Sequence, residues 1–308
     1  MATFEETFRR KEKKYRLDAG QLALLERYVA GHMRPDAFFR SCVHSLYYDT
    51  PERDLIERSL ARPAYKEKLR LRWYEPVAAS AGGFGGAGAA SGDAAPAMGA
   101  GVAPATGAGV ALPVFVELKK KHEGIVYKRR ISLAAPEALA FLDGMAYDEV
   151  LARLSGKGGC VAAEAASLRA RQIAREIEAF CARHAPLRPS ALIACERTAY
   201  AGATDVGAPL RVTFDRSLRA ADVMGAFPPG ALPQDALAVL AALPAPPMTP
   251  LLRPGEAIME VKSEGGYPLW LARALSACAA YPASFSKYGE MHRQARLGGW
   301  RHQAQIRA

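Results

Sequence analysis

Apolar and polar positions alternate with a period of two through much of the chain. Segments 8–16, 43–49, 65–74, 113–121, 125–133, 190–200, 209–217 and 256–263 place the two kinds of side chain on opposite faces, as half-buried strands do. A shorter stretch, "SFSKY" at 284–288, is a candidate ninth strand. Four other segments repeat at helical spacing. The first, 19–33, follows Asp18 as N-cap and carries Leu22, Leu25, Tyr28, Val29 and Met33. Pro136 opens 136–154, Pro186 follows 163–184, and Pro268 starts 268–280. About eight strands, suited to antiparallel pairing and interspersed with helices, predict an α+β chain.

Two stretches break the pattern. Residues 77–112 are nearly all Ala, Gly, Ser, Pro and Val, too little apolar bulk to offset the entropy of ordering them. They read as a flexible insertion in the hairpin between 65–74 and 113–121. The Ala/Pro/Leu-rich stretch 225–252 reads as a second long connection, with a short helix expected at 234–243. The expected organisation is a single domain spanning 1–308, with a core of about 8–290.

The polar faces of the strands are unusual. "YKEKLRLRWY" stacks Lys66, Lys68, Arg70 and Arg72 on one side and Leu69, Leu71 and Trp73 on the other. The same alternation groups Arg10, Glu12 and Lys14; Phe115, Glu117, Lys119 and Lys121; and Val126, Lys128 and Arg130. It also groups Arg211, Thr213 and Asp215, and Ile258, Glu260, Lys262 and Glu264. Same-face neighbours lie about 6.6 Å apart, so like charges repel by roughly 2.5 kcal/mol at an effective dielectric near 20. Water and salt reduce this on an open surface, where such a strand is an ordinary solvated face. Several such strands, each keeping a carboxylate or two among its cations, fit a second arrangement: a sheet closed on a charged lumen that anions fill. Arg offers a planar fork to phosphate oxygens and Lys a mobile point charge. Glu260 and Glu117 would repel a phosphate directly and suit a hard divalent cation bridging to it.

The bulk numbers agree. The 308 residues carry a net charge of +10, which points to an anionic partner, and at 50% hydrophobic they can build a sizeable core. Five cysteines at irregular spacing, without a CxxC pair, suggest reduced thiols and a cytoplasmic location. The charged N-terminus shows no secretory signal, and no run of about 18 apolar residues predicts a membrane span. The six histidines have no metal-ligand spacing. Tyr47, Tyr48 and Asp49 of "HSLYYDT" read as wall and turn residues.

In order along the chain, "EKKY", "HSLYYDTPERDLI", "YKEKLRLRWY", "VFVELKKKHEGIVYKRR", "ERTAY", "LRVTFDR", "IMEVK" and "SFSKYG" resemble the VTC-type polyphosphate polymerase domain of the CYTH-like triphosphate tunnel metalloenzymes. The resemblance implies an antiparallel eight-stranded β tunnel barrel with helices packed outside. It also implies transfer of the terminal phosphate of ATP to a growing polyphosphate chain, helped by Mn²⁺ or Mg²⁺. Carried over residue by residue, it implies phosphate contacts by Lys14, Arg70, Arg72, Lys119, Lys128, Arg197, Arg211 and Lys287, with Glu260 as metal ligand. Lys66, Lys68, Arg130, Lys262 and Ser286 are expected to bind substrate around them. Two positions depart from the family pattern: Cys195 replaces a Tyr near the nucleotide, and Ser284 stands where a further Lys is sometimes found. An SPX-like segment before the domain and a membrane span after it are not seen, so coupling to translocation is not expected of this chain alone.

Two other functions remain open on the sequence. A hydrolase of the same superfamily would use water as acceptor. The excess of cations over carboxylates, and a first strand reading Arg10, Glu12, Lys14, favour the polymerase. A non-catalytic polyanion binder has little use for Glu260 among its cations. Nucleic acid is not expected, because the cationic strands lack interleaved aromatics for base stacking. The tail cations Arg293, Arg296, Arg301, His302 and Arg307 read as a solvated end, and oligomeric state stays open.

Overall fold

Asp18 ends the first strand and starts the first helix. Its carboxylate accepts the Gln21 amide at 2.8 Å, and the Gln21 side chain accepts the Asp18 N–H at 3.1 Å. The computed structural model describes residues 11–76, 113–123, 125–155, 160–202, 210–226 and 248–297. The insertion 77–112, most of 225–252 including the helix expected at 234–243, Arg10, and the tail residues Arg301, His302 and Arg307 lie outside the described residues.

In chain order the first elements are β1 (Lys11–Leu17), α1 (Ala19–His32), β2 (Arg34–Asp49), α2 (Asp54–Leu60), β3 (Tyr65–Pro76), β4 (Val114–His122) and β5 (Ile125–Leu133). Four helices follow: α3 (Ala135–Leu142), α4 (Tyr147–Ser155), α5 (Cys160–Ala166) and α6 (Leu168–Arg183). Then come β6 (Arg188–Ala201), β7 (Leu210–Asp222), the two-residue β8 (Thr249–Pro250), β9 (Ala257–Ser263), α7 (Leu269–Ala277) and α8 (Lys287–Arg296). The strands form one antiparallel sheet in the order β1-β9-β7-β6-β2-β3-β4-β5, with β8 on β7. The α+β class and the large antiparallel sheet are as expected.

The sheet curls without closing: no ladder joins β1 to β5 among the described residues. Its two ends nevertheless face each other. Five strands separate β1 from β4 along the sheet, yet Lys119 of β4 acts electrostatically on both Glu12 and Lys14 of β1. Only a strongly curled sheet brings those side chains together.

Outer faces carry the main cores. Leu69, Leu71 and Trp73 of β3 and Val114, Val116 and Leu118 of β4 pack with Leu139, Ile173, Ile177 and Phe180 of α3 and α6. Tyr15 and Leu17 of β1, Phe214 of β7 and Met259 and Val261 of β9 pack with Leu25 and Val29 of α1 and Leu271 of α7. Each fully buried Leu, Val or Phe stabilises the fold by roughly 1.5–3 kcal/mol relative to exposure. With the outer faces committed to this packing, the alternate positions are directed to the inner face.

Four local readings change. The 136–154 stripe is two helices, because Gly144, at φ +107°, takes the left-handed position after α3 and Met145 N–H returns to the Ala140 carbonyl. The 163–184 stripe breaks at Ser167, which caps α6 by accepting the Ala170 amide at 3.1 Å. The second strand begins at Arg34 rather than 43. "SFSKY" is not a strand: Ser286 caps α8 by accepting the Gly289 amide at 3.2 Å. That helix also departs from the expected outer helical cover. Tyr288 and Met291 pack with Val43, Tyr47, Ile193 and Ile258, residues of the same face that carries the charges. Asp49 anchors the junction, accepting the amides of Thr50, Leu55 and Ile56 and the hydroxyl of Tyr288.

Candidate active site

Strand register sorts the inner face into rows. Lys68, Lys119 and Lys128 lie side by side across β3, β4 and β5; Arg70, Glu117 and Arg130 form the next row. Lys14, Glu260 and Thr213 align across β1, β9 and β7. Three buried carboxylate centres organise the cations.

Glu117 is the first centre, with its side chain 1% exposed. Arg70 Nε donates to it at 2.8 Å, Arg130 Nε at 2.7 Å, and Lys128 Nζ lies at 2.6 Å. Burial alone would raise its pKa; Arg70, Arg72, Lys128 and Arg130 outweigh that and hold the carboxyl well below the usual range. Tyr47 and Tyr74 accept further bonds from Arg70 and Arg130, at 3.1 and 3.4 Å. The reading of Glu117 as a metal ligand is therefore revised: its oxygens are taken up by three cations.

Asp215 is the second centre, fully buried. Arg197 grips it with two bonds, Nε at 2.6 Å and Nη2 at 2.8 Å, and Lys287 Nζ donates at 2.6 Å. Burial opposes ionisation, but Arg197 and Lys287 keep the carboxyl ionised and far below its ordinary value. Lys287 also lies 3.1 Å from the buried Cys195 sulfur. The first residue of α8 thus enters the charged face beside β6 and β7.

At the third centre Lys14 bridges two carboxylates, 3.0 Å from Glu12 and 3.2 Å from Glu260. Burial pulls the Lys14 pKa down, but the two glutamates raise it above the ordinary lysine value. Glu260 stays ionised against burial through Lys14, Lys262, Arg197 and Lys287. Among the described residues no cluster of three or more His, Cys, Asp or Glu could cage a metal. Two ionised carboxylates on one lysine nevertheless fit a hard divalent cation that takes its remaining ligands from water and substrate oxygens, the usual coordination of Mg²⁺.

Other expected residues are placed as follows. Lys68 donates to Ser286 Oγ at 3.0 Å, so α8 and β3 meet on the inner face. Arg72 is buried, with Nε on Ser45 Oγ at 3.1 Å. Lys119 lies between the first and third centres, its pKa lowered by burial. Lys262 is 3.8 Å from Glu12 and 3.9 Å from Glu260. Lys66 donates to the Ser59 carbonyl at 3.2 Å, at the end of α2. Arg211 is not drawn into the three centres: its side chain is 44% exposed and its Nε lies 2.8 Å from Asp36.

Asp215, Glu12, Tyr47 and Tyr74 belong to the arrangement and were not among the expected site residues. Alternation in "LRVTFDR" and "RRKEKKY" already put Asp215 and Glu12 on charged faces. Nothing in the sequence showed that Asp215 would meet a helix N-terminus, or that the two phenols would sit under arginines.

The model of the VTC domain family matches residues 9–81 and 106–295. No curated protein sequence matches the chain. Similar solved structures include a Hippeastrum protein, a proposed adenylyl cyclase described as having a dominant triphosphatase activity. It is 13% identical, with a TM-score of 0.40, covering 93% of this chain and 95% of that one. Another is a proposed adenylate cyclase from Vibrio parahaemolyticus, 10% identical with a TM-score of 0.39, covering 93% and 99%. The family match spans most of the chain and takes in every strand of the charged face, and on that ground this protein belongs to the VTC domain family.

Proposed function

We propose that the chain is a polyphosphate polymerase, transferring the terminal phosphate of ATP to the end of an inorganic polyphosphate chain. The observation that carries this reading is the convergence of cations from β1, β3, β4, β5, β6, β9 and α8 on one inner face around Glu117, Asp215 and the Glu12–Glu260 pair. Family membership supports it.

Phosphoryl transfer needs positioning and neutralisation of charge more than a protein nucleophile. A terminal oxygen of the chain attacks the γ-phosphorus and ADP leaves. Arg70, Arg72 and Arg197 present forks to phosphate oxygens; Lys14, Lys119, Lys128 and Lys287 supply point charges. Glu117 holds Arg70 and Lys128, and Asp215 holds Arg197 and Lys287, in place before substrate arrives, so little reorganisation of these four is left to the reaction. Lys68, Arg130, Lys262 and Ser286 extend the contacts, and Arg211 meets the substrate from the rim. Glu260, with Glu12, would hold Mn²⁺ or Mg²⁺, which when bound neutralises charge on the transferring phosphate.

Incubation of the purified protein with ATP and Mn²⁺, with products run on a polyphosphate gel, tests the reading. Long chains support it. Free phosphate without chains points to the hydrolase, and neither product to a polyanion-binding module.

Arg70→Ala is expected to weaken tripolyphosphate binding about 10- to 100-fold, the loss of a charge-assisted contact worth roughly 1.5–3 kcal/mol. Calorimetric titration measures it; an unchanged affinity removes Arg70 from the site.

Binding should also weaken with rising pH. Burial, with Lys66, Lys119 and Lys14 nearby, lowers Lys68 to about 8. Burial likewise brings Lys128 to about 8. Burial would raise the phenols, but neighbouring cations lower Tyr47 and Tyr74 to about 8. Below that pH the lysines are charged and the phenols neutral; above it the lysines are neutral and the phenols anionic. All four changes strip positive charge from the face. Tripolyphosphate affinity measured between pH 7 and 9 should fall more steeply for wild type than for Lys68→Arg, whose charge does not titrate there. Parallel profiles, which share the ligand's own titration, exclude Lys68.

A further inference from the structure

Several cations on the outer surface of this protein are paired with carboxylates. Lys120 and Arg129 share Glu176, Arg171 meets Asp148, Arg53 grips Asp222, Arg16 holds Glu256 and Arg216 pairs with Glu26. Where the charged face reaches the C-terminal end of α2, three neighbouring cations lack such partners and adjoin one another. Lys66 and Lys121 are register partners on β3 and β4, and Arg62, in the left-handed region at φ 55°, directs the chain into β3 beside them. Among the described residues none of the three has a carboxylate within ion-pair distance; Lys66 has only the Ser59 carbonyl. Burial lowers the Lys66 pKa, and repulsion from Lys121 and Arg62 lowers it further, so the three charges share one region. The trio is continuous with the interior: Lys68 lies next along β3 and feels Lys66 on one side and Lys119 and Lys14 on the other.

We infer that Arg62, Lys66 and Lys121 form an outer subsite that holds the part of an inorganic polyphosphate chain extending beyond the three carboxylate-centred clusters. This rests on the proposed function and adds to it the path of the chain. A short polyanion is satisfied by the inner cations, whereas a long one continues past Lys68 onto the trio. Its negative charge relieves a repulsion that the fold leaves uncompensated. Inorganic polyphosphate is favoured over nucleic acid because the patch continues the inner row of cations, whereas the adjacent Tyr65–His122 ring pair lies on the opposite strand face.

The test compares ligand lengths on the full chain. Affinities for tripolyphosphate and for a long polyphosphate of defined length are measured for wild type and for Arg62→Ser/Lys121→Ser, two exposed or half-buried positions. The expected result is a loss of about tenfold for the long chain, from two ion contacts of roughly 0.5–1 kcal/mol each, with tripolyphosphate changed less than twofold. The salt dependence of long-chain binding should also become shallower, as fewer counterions are released. Unchanged long-chain affinity, or an equal loss for both ligands, overturns the subsite. Equal competition by single-stranded RNA overturns its assignment to polyphosphate. If wild type binds neither phosphate ligand, the proposed function falls, a result distinct from loss of the subsite alone.

Discussion

Glu117→Ala is expected to destabilise the folded protein by about 3–5 kcal/mol, the usual cost of removing one partner from a buried ion cluster. The side chain is 1% exposed and compensates Arg70, Arg130 and Lys128, which converge on its two oxygens. Without it Arg70 keeps only the Tyr47 hydroxyl among its described partners, and three cations repel one another at close range. Thermal unfolding should show Tm falling by roughly 6–20 °C, at about 2–4 °C per kcal/mol for a chain of this size or somewhat smaller. Tripolyphosphate should then raise the variant's Tm more than the wild type's, because the ligand supplies the missing negative charge and binds only the folded state. Glu117→Gln, which keeps the shape and loses the charge, should behave similarly. A variant melting within a degree of wild type would show that these cations need no carboxylate, and the account of a pre-organised phosphate face would fail with it.

Glu260→Ala should remove metal-dependent turnover by a factor of at least about 100, equivalent to some 3 kcal/mol of transition-state stabilisation. The same change should leave metal-free tripolyphosphate binding intact or tighter, since it removes a negative charge and frees Lys14 from one of its two carboxylates. That split separates a metal ligand from a residue needed for folding or anion binding. Normal turnover with Mn²⁺ in this variant would sink the metal assignment. Glu12→Ala should cost less, because Glu12 is the more exposed of the pair and Lys14, Lys119 and Lys262 already act on it.

Much of this was legible in the residues. Alternation in "YKEKLRLRWY" assigns Leu69, Leu71 and Trp73 to one face and the four cations to the other, and they are found so divided. Asp18 as N-cap holds, down to the Gln21 reciprocity. Helix breaks were harder. Leu142 and Val150 lie on one apolar stripe in sequence and still belong to different helices, because a glycine free to take positive φ outweighs the continuity of the stripe. "SFSKY" misleads in the opposite direction: alternation over five residues suits a strand, while Ser286 as a cap and Tyr288 with Met291 as an apolar face make it the start of a helix.

By itself the sequence determined which side chains share a face and that those faces are cationic with a few retained carboxylates. These properties depend only on a local period of two and on charge. Tertiary structure alone decided which carboxylate serves which cation. Lys14 meets Glu260 through the β1–β9 register, Lys287 meets Asp215 because α8 packs on the inner face, and Arg211 turns to Asp36 instead of joining them. The physical reason is one of range: a face is set by neighbours two residues apart, whereas an ion pair is set by register and curl between strands far apart in the chain.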